Sequence, residues 1–281
     1  MAVKITSDST CDLTPELLSA YQIELFPLTI VLNDTPHRDG LDITPPDIFS
    51  AVGQGSPLPS TTAVSVGEYQ DRFSVLSKEY DAVIHINIGS GFSACYQNAT
   101  IAAQEFDNVY AVDSQNLSSG HGHVVLAAAK AAQAGKSAQE ILALLNDLIP
   151  RVEASFIIDR LDYMVKGGRC SAVAMLGANL LKLKPCIEVK NGAMCVVKKY
   201  RGSFEKCLET YVKERLDGRA NLIFDQIFIT HPACPPSDVA LVRGEIEKYA
   251  HFDAVTETKA GCTVSSHCGP RTLGILFVRK D

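Results

Sequence analysis

Short apolar runs alternate with segments of helical spacing along the first half of the chain. The run Ala82–Ile88 predicts a buried strand, and apolar positions three and four residues apart predict a helix over residues 67–79. The same patterns predict strands at residues 3–6 and 109–112, an extended segment at 24–32, and helices beginning near residues 15, 45, 93, 119 and 137. Strands separated by helices favour βαβ units and a mostly parallel sheet with flanking helices.

The pattern changes near Pro150. Apolar runs on either side of Asn191-Gly192 predict a hairpin, because these residues readily take the two positive φ angles of a type I′ turn. The elements that follow are a helix beginning at Phe204, a strand at 227–230, a helix at 237–249 and a strand at 272–278. We therefore predict a two-domain α/β fold, with the mostly parallel sheet in residues 1–155 and a mixed sheet in residues 156–281.

Composition limits the classes of function. The chain has 281 residues, of which 46% are hydrophobic, so it can build two domains with substantial cores. Its net charge of −6 disfavours nucleic acid as a partner. The first residues lack the apolar core of a signal peptide, and no apolar run reaches the length of a membrane span. We expect a cytoplasmic protein whose nine cysteines, none in a CxxC pair, are reduced.

The most informative segment is the Gly-rich loop Gly89–Ala94, which follows a predicted strand and opens a helix. As G-x-G-x-x-A it resembles a dinucleotide fingerprint, with Asp113 as the ribose-binding acid. As G-x-S-x-C it resembles a nucleophile elbow at Ser93, with Asp113 or Asp162 and His267 completing a triad. A third interpretation is a carboxylate-binding loop that uses the Ser93 hydroxyl and loop amides. The loop could also be a structural turn without a ligand.

Three other polar segments could contact a ligand. Residues 59–65 are typical of a helix start with Ser65 as N-cap, although they could also supply hydroxyl donors facing Ser93. His267 lies in a predicted loop near two cysteines, but no second cluster completes a four-ligand zinc set, so we expect no metal. Residues 166–169 predict either a solvated turn or a cation beside an acidic ligand.

Several segments, taken in order along nearly the whole chain, resemble the DegV family, which includes the fatty-acid-binding subunits of bacterial fatty acid kinase. They are Thr6–Leu13, Pro59–Thr62, Ile88–Ala99, Val112–Ser114, Leu161–Arg169, Leu183–Pro185 and Ser266–Pro270. The family counterparts are S-D-S-x-x-D-L, P-x-T-S, S-S-G-L-S-G-T-Y-Q-S-A, V-D-S, L-x-Y-L-x-K-G-G-R, K-P and T-H-T-G-P.

The resemblance implies a fatty-acid carboxylate held at the domain interface. On the matched positions, Thr61 and Ser93 would donate hydrogen bonds, His267 would approach the same head group, and Thr62 would assist in place of the family's serine. The resemblance further implies cations near the portal or at a docking surface for a partner, and the candidates are Lys166, Arg169, Arg201 and Arg271.

The resemblance also implies a lipid-binding protein that is not an enzyme by itself and uses no cofactor. Its partners would be a long-chain fatty acid and a separate ATP-dependent kinase that makes the acyl phosphate, with only transient membrane contact. The chain departs from the family pattern at Ala63-Val64 for Q-P, Ala94-Cys95 for G-T, Asn98 for Ser and Arg271 for Gly. The last change adds a bulky cation near His267, which bears on head-group contacts or on kinase docking.

The free energy of burial favours a fatty acid as the ligand. Burying one methylene yields about 0.8 kcal/mol, so about fifteen give roughly 12 kcal/mol as an upper estimate before association costs. A buried carboxylate needs hydrogen-bond donors, for which two hydroxyls and an imidazole are a reasonable minimum. The alternatives that stay open are a serine hydrolase that uses Ser93 and His267, and a dinucleotide-binding oxidoreductase.

Overall fold

The first half of the chain forms a four-stranded parallel sheet in the computed structural model, which describes residues 2–170 and 183–280. Its strands are β1 (Val3–Asp8), β2 (Glu24–Phe26), β6 (Ala82–Asn87) and β7 (Val109–Asp113), in the order β2-β1-β6-β7. All neighbouring strands run parallel, as the sequence predicted. Every residue of β6 is buried, which is typical of a strand covered on both faces.

Helices cover this sheet. They are α1 (Pro15–Ala20), α3 (Val66–Glu79), α4 (Cys95–Ala103), α5 (Ser118–Gln133) and α6 (Ala138–Leu148). The predicted N-cap Ser65 is confirmed, since its hydroxyl accepts from the Glu68 amide and the Glu68 carboxylate accepts from the Ser65 amide. Helix α4 begins two residues later than predicted, because the Ser93 hydroxyl accepts a hydrogen bond from the Cys95 amide ahead of the helix.

The predicted extended segment at residues 24–32 is divided between two sheets. After β2, the chain enters β3 (Thr29–Leu32), which is the central strand of a three-stranded antiparallel sheet. Its neighbours are β4 (Thr35–Arg38) and β5 (Ser60–Thr62), and α2 (Pro45–Gly53) lies between them in sequence. Strand β5 was not predicted, and it places Thr61 opposite Ile30.

The second half of the chain forms a six-stranded mixed sheet. Its strands are β8 (Val152–Ile158), β9 (Leu183–Lys190), β10 (Ala193–Arg201), β11 (Leu222–His231), β12 (Ala254–Lys259) and β13 (Thr272–Arg279). The order is β10-β9-β8-β13-β11-β12, and only β11 and β12 run parallel. Asn191 and Gly192, between β9 and β10, both have positive φ, which confirms the predicted hairpin turn. The division expected at residues 155 and 156 passes through β8, a central strand of this sheet.

The described residues of the second half form four helices: α7 (Asp162–Gly167), α8 (Phe204–Leu216), α9 (Pro236–Tyr249) and α10 (Cys262–Cys268). The predicted inward face of α8 is confirmed, because Phe204, Cys207, Leu208, Tyr211 and Val212 are all buried. Helix α10 contradicts the loop expected around His267. Short 3-10 turns at Ser9–Cys11 and Ile149–Arg151 complete the described elements.

Helix α5 joins the parallel sheet to the mixed sheet. The hydroxyl of Ser119, in its first turn, lies 2.7 Å from those of Thr230 on β11 and Thr258 on β12. One turn later, the His123 ring lies 2.9 Å from the carbonyl of Leu276 on β13. Buried residues of both sheets consequently belong to one apolar core. Among the described residues, no helix combines the length and apolar character needed to cross a bilayer.

A candidate ligand pocket between the sheets

A cavity of about 290 Å³ opens between the parallel sheet, the three-stranded sheet and the β9–β10 hairpin. Its wall is mainly apolar and includes Leu28, Ile88, Phe92, Met164, Met194 and Val264. The polar side chains on the wall are those of Thr61, Thr62, Ser93, Arg169, Thr263 and His267. The four residues that the family resemblance assigned to a head group therefore line one cavity.

Thr61 and His267 form a hydrogen-bonded pair, although they are 206 residues apart in sequence. The His267 Nε2 lies 3.0 Å from the Thr61 hydroxyl, which joins α10 to β5. Burial lowers the pKa of His267 to about 4, and the nearby charge of Arg169 acts in the same direction. The imidazole is therefore neutral at pH 7, with one donor nitrogen and one acceptor nitrogen.

The Nδ1 side of the His267 ring lies against Gly167. A Cβ atom at Gly167 would lie 2.6 Å from the His267 Nδ1, so no larger residue fits there without moving the ring. The buried Nδ1 makes no hydrogen bond of standard geometry with a described residue, but the Gly167 backbone lies close enough to act on the ring and partly opposes the lowering of its pKa. The close approach of α7 to α10 thus explains why a glycine, Gly167, stands at the first G of the K-G-G-R segment.

Ser93 lies at the opposite side of the pocket, just before α4. Its hydroxyl oxygen accepts from the Cys95 amide at 3.3 Å and lies 3.2 Å from the Cys95 sulfur. Sulfur is a weak acceptor, so the hydroxyl proton can rotate toward a ligand at small cost. The positive end of the α4 dipole faces the same region and favours an anion there.

Of the four cations expected near the portal, only Arg169 lines the pocket. Its guanidinium donates to the Gly167 carbonyl at 3.0 Å, and it forms no ion pair with any residue that the structure describes. Lys166, at the end of α7, is exposed and does not line the cavity. Arg169 is thus a positive charge available to an anionic ligand.

The other two arginines lie elsewhere. Arg201 ends β10, seven residues beyond the pocket-lining Met194, which is about 20 Å along an extended strand. Arg271 is half-exposed and forms ion pairs with the carboxylates of Asp159, Glu205 and Asp238, while its guanidinium stacks on Phe204. Arg271 therefore does not line the cavity, and its expected part at the portal or in kinase docking stays a prediction.

The glycines of the Gly-rich loop serve packing. A Cβ atom at Gly91 would overlap with the carbonyl oxygen of Gly192, in the turn of the β9–β10 hairpin. The candidate ribose-binding Asp113 accepts hydrogen bonds from the amide and hydroxyl of Ser90 and from the Gln115 amide. The hairpin turn thus packs directly against Gly91, and the Asp113 carboxylate is already bonded to neighbouring loop residues, so the geometry does not favour a dinucleotide site.

A catalytic triad is not assembled either. Within the described parts of the chain, no hydrogen bond joins Ser93 to His267, whose Nε2 is bonded to Thr61 instead. Asp162 is exposed and pairs with Arg160 on the surface. The contacts that would activate a serine nucleophile are therefore not formed. Among the described residues there is also no group of three or more His, Cys, Asp or Glu side chains placed to hold a metal ion.

A second, smaller cavity of about 30 Å³ lies beside the first. The two share the side chains of Leu117, Val264 and Cys268 as a common wall. Beyond that wall the lining includes Phe156 and Leu276, and the Thr272 hydroxyl there already donates to a backbone carbonyl. The hydroxyls of Thr61 and Ser93 therefore lie on the first cavity, and the wall that it shares with the second is apolar. Sequence patterns did not identify the apolar lining of the two cavities, whose members are far apart in the sequence.

The fold and the pocket define a class of protein: an α/β binding protein whose inter-sheet pocket suits a ligand with one polar end and one apolar end. A family model described as "Uncharacterised protein, DegV family" matches residues 2–280, and the chain belongs to the DegV family. A DegV domain-containing protein of Clostridium acetobutylicum is 32% identical over 289 residues, covering 99% of both chains.

Solved structures share the whole fold. A DegV family protein of Thermus thermophilus, described as binding fatty acid, superposes with a TM-score of 0.90 at 28% identity, covering 99% of this chain and 100% of the other. A DegV lipid-binding protein of Thermotoga maritima superposes with a TM-score of 0.87 at 26% identity, covering 100% of both chains. These likenesses extend over both sheets and the pocket between them.

Proposed function

We propose that this protein binds a long-chain fatty acid in the inter-sheet pocket and presents the carboxyl group to a separate ATP-dependent kinase. The observation that carries the proposal is the mixed lining of the pocket, where hydroxyls, an imidazole and a guanidinium lie on a wall that is otherwise mainly apolar. Membership of the DegV family and the fatty-acid binding described for the Thermus thermophilus protein support it.

The head group would lie between Thr61 and Ser93. When the neutral His267 donates from Nε2 to the Thr61 oxygen, the Thr61 hydroxyl proton is free to point at a carboxylate. Ser93 would donate from the α4 side, and the exposed Thr62 hydroxyl would assist. Arg169 would supply the opposite charge that a partly buried carboxylate requires. Each hydrogen bond to the charged group is worth about 1.5–3 kcal/mol.

The acyl chain would follow the apolar wall toward the Leu117, Val264 and Cys268 side chains. Each buried methylene contributes about 0.8 kcal/mol, so the chain supplies most of the affinity, while the donors fix its direction. Polar groups near the deep end cost little, since hydroxyls such as that of Thr272 already have partners within the protein.

In this proposal the chain performs no chemistry alone. Among the described residues, no base is hydrogen-bonded to the Ser93 hydroxyl, and a partner would supply ATP and make the acyl phosphate. Arg169 and Lys166 are exposed beside the carboxyl end of the pocket, where a kinase could approach.

The binding proposal is tested by Ser93→Ala, with Ser90→Ala as a matched control in the same loop. The Ser90 hydroxyl donates to Asp113 and does not line the pocket. Binding of hexadecanoic acid by purified, delipidated protein should weaken about tenfold or more in Ser93→Ala and stay unchanged in Ser90→Ala. Equal affinities for both variants would remove Ser93 from the head-group site.

The presentation proposal needs its own assay. Protein loaded with hexadecanoic acid, mixed with ATP and a bacterial fatty acid kinase subunit, should yield acyl phosphate that hydroxylamine traps as a hydroxamate. Loss of product in Lys166→Ala, an exposed residue that does not line the pocket, with lipid still bound, would support docking beside the portal. An absence of product from fully loaded wild-type protein would contradict presentation to that kinase and leave fatty-acid binding standing.

A further inference from the structure

Helix α10 carries His267 and depends on outside contacts for its position. It has only seven residues, Cys262–Cys268, and so short a helix is not stable by itself in water. His267 is its penultimate residue, while the first turn lies at the opposite end. The groups that hold the first turn therefore set where the imidazole can lie.

Asp39 holds that first turn. One of its carboxylate oxygens accepts from the Cys262 amide at 2.7 Å. The other accepts from the amide and the hydroxyl of Thr263, at 3.2 and 2.6 Å. A fourth donor, the Ser9 hydroxyl, lies 3.0 Å from the same oxygen, and the Asp39 side chain is buried. Burial of an ionised carboxylate is tolerated when donors surround it in this way.

The same small sheet holds both ends of α10. Asp39 directly follows β4, and Thr61 lies on β5, with β3 between the two strands. The Asp39 amide donates to the carbonyl of the pocket-lining Leu28 at 2.9 Å. One rigid unit therefore fixes the start of α10 through Asp39 and meets its end through the hydrogen bond between Thr61 and His267.

Other contacts near Asp39 also hold the start of α10, but none of them fixes the position of the helix by itself. Asp12 accepts from the Gly261 amide at 2.8 Å, one residue before α10 begins. The Cys262 sulfur donates to the Ile43 carbonyl at 3.2 Å. Loss of the Asp39 contacts should thus shift or rotate α10 rather than detach it.

We propose that Asp39 is a positioning residue for the head group, which sets His267 at hydrogen-bonding distance from Thr61 and thereby fixes the donor geometry that a carboxylate meets. The inference rests on the proposed fatty-acid binding. Asp39 touches no ligand in this arrangement and acts through α10. An asparagine cannot replace it, because an amide has a single acceptor oxygen, and its NH2 group would face an N–H or O–H donor.

The test compares two ligands of equal chain length, hexadecanoic acid and hexadecan-1-ol, in the delipidated full-length protein. The ratio of their dissociation constants isolates the head group, because the buried chain is the same. Wild type should bind the acid at least roughly tenfold more tightly than the alcohol. Asp39→Asn should lower this ratio several-fold, while Asp42→Asn, an exposed aspartate in the same loop whose carboxylate accepts from the Arg38 amide, should keep it.

The possible results separate the positioning role of Asp39 from the head-group assignment. An unchanged ratio in folded Asp39→Asn, or equal weakening of both ligands, would overturn the positioning role and leave the proposed function intact. The absence of any acid preference in wild type would instead overturn the head-group assignment on which the inference rests. If Asp39→Asn does not fold, Ser9→Ala decides, because it removes a hydroxyl that donates to Asp39 and does not line the pocket. Its ratio should fall too, and an unchanged ratio would refute the inference.

Discussion

Replacing Thr61 with valine should weaken the binding of a fatty acid without removing the pocket. Valine keeps the branched shape of threonine and replaces its hydroxyl with a methyl group. The variant loses the oxygen that lies 3.0 Å from the His267 Nε2 and the donor expected to face the carboxylate. It also puts a methyl group at the polar end of the pocket.

The expected magnitude follows from these losses. One hydrogen bond to a charged group is worth about 1.5–3 kcal/mol, which corresponds to roughly a ten- to hundredfold increase in the dissociation constant. The free protein also loses the hydrogen bond between Thr61 and the His267 Nε2, so its free energy of unfolding should fall by about 0.5–1.5 kcal/mol.

The assay is displacement of a fluorescent fatty acid by hexadecanoic acid and by hexadecan-1-ol, with urea unfolding measured in parallel. Thr61→Val should lose affinity mainly for the acid, because the alcohol depends little on the charge-specific donors. The control Thr100→Val removes a hydroxyl that donates to the Tyr96 carbonyl on α4, away from the cavity wall. Equal affinity of wild type and Thr61→Val for the acid would refute the assigned role of Thr61.

Three further predictions concern the path of the acyl chain, the stability of the protein at acidic pH and the packing of the Gly-rich loop. Cys268→Phe fills the wall shared by the two cavities, so it should weaken binding of octadecanoic acid more than of dodecanoic acid in the same displacement assay; an equal effect on both would contradict the path proposed for the acyl chain. Burial lowers the pKa of His123 to about 4 from 6.5, so the folded state binds fewer protons than the unfolded state and loses stability as the pH falls from 6.5 to 4. Between pH 6.5 and 4, the free energy of unfolding measured with urea should fall by up to about 3 kcal/mol less in His123→Gln than in wild type. The same pH dependence in both proteins would refute this prediction. Gly91→Ala should destabilise the fold by about 1–3 kcal/mol through overlap with the Gly192 carbonyl, whereas Gly67→Ala, where the added Cβ meets open space on α3, should not; thermal unfolding that ranks them the other way would contradict the contact.

The regular elements were predictable where local pattern and tertiary structure agree. The buried strand at β6, the capped helices α3 and α6 and the Asn191-Gly192 hairpin all have strong local signals, and all are present. Strand β12 escaped prediction because it lies at the edge of its sheet, and its sequence Ala-Val-Thr-Glu-Thr-Lys is polar and mostly part-exposed. Helix α10 escaped because Cys-Thr-Val-Ser-Ser-His-Cys has weak helical propensity and depends on Asp39, more than 200 residues away.

The sequence indicated several residues that line the candidate pocket, but not the hydrogen bonds and ion pairs that they form. Motif resemblance brought Thr61, Ser93 and His267 together as candidates, and all three line one cavity. The hydrogen bond between Thr61 and His267 depends on the pairing of β5 with β3, and β5 is too short to show a periodic pattern. The ion pairs of Arg271 likewise join segments that only the folded chain brings together, so its distance from the head group could not be anticipated.

The most direct test of the central claim is mass spectrometry of a solvent extract of the denatured protein, purified without added lipid. Binding in the inter-sheet pocket predicts close to one C14–C18 fatty acid per chain in wild type, and less in Ser93→Ala. An empty extract from folded protein that also fails to take up hexadecanoic acid would contradict the account.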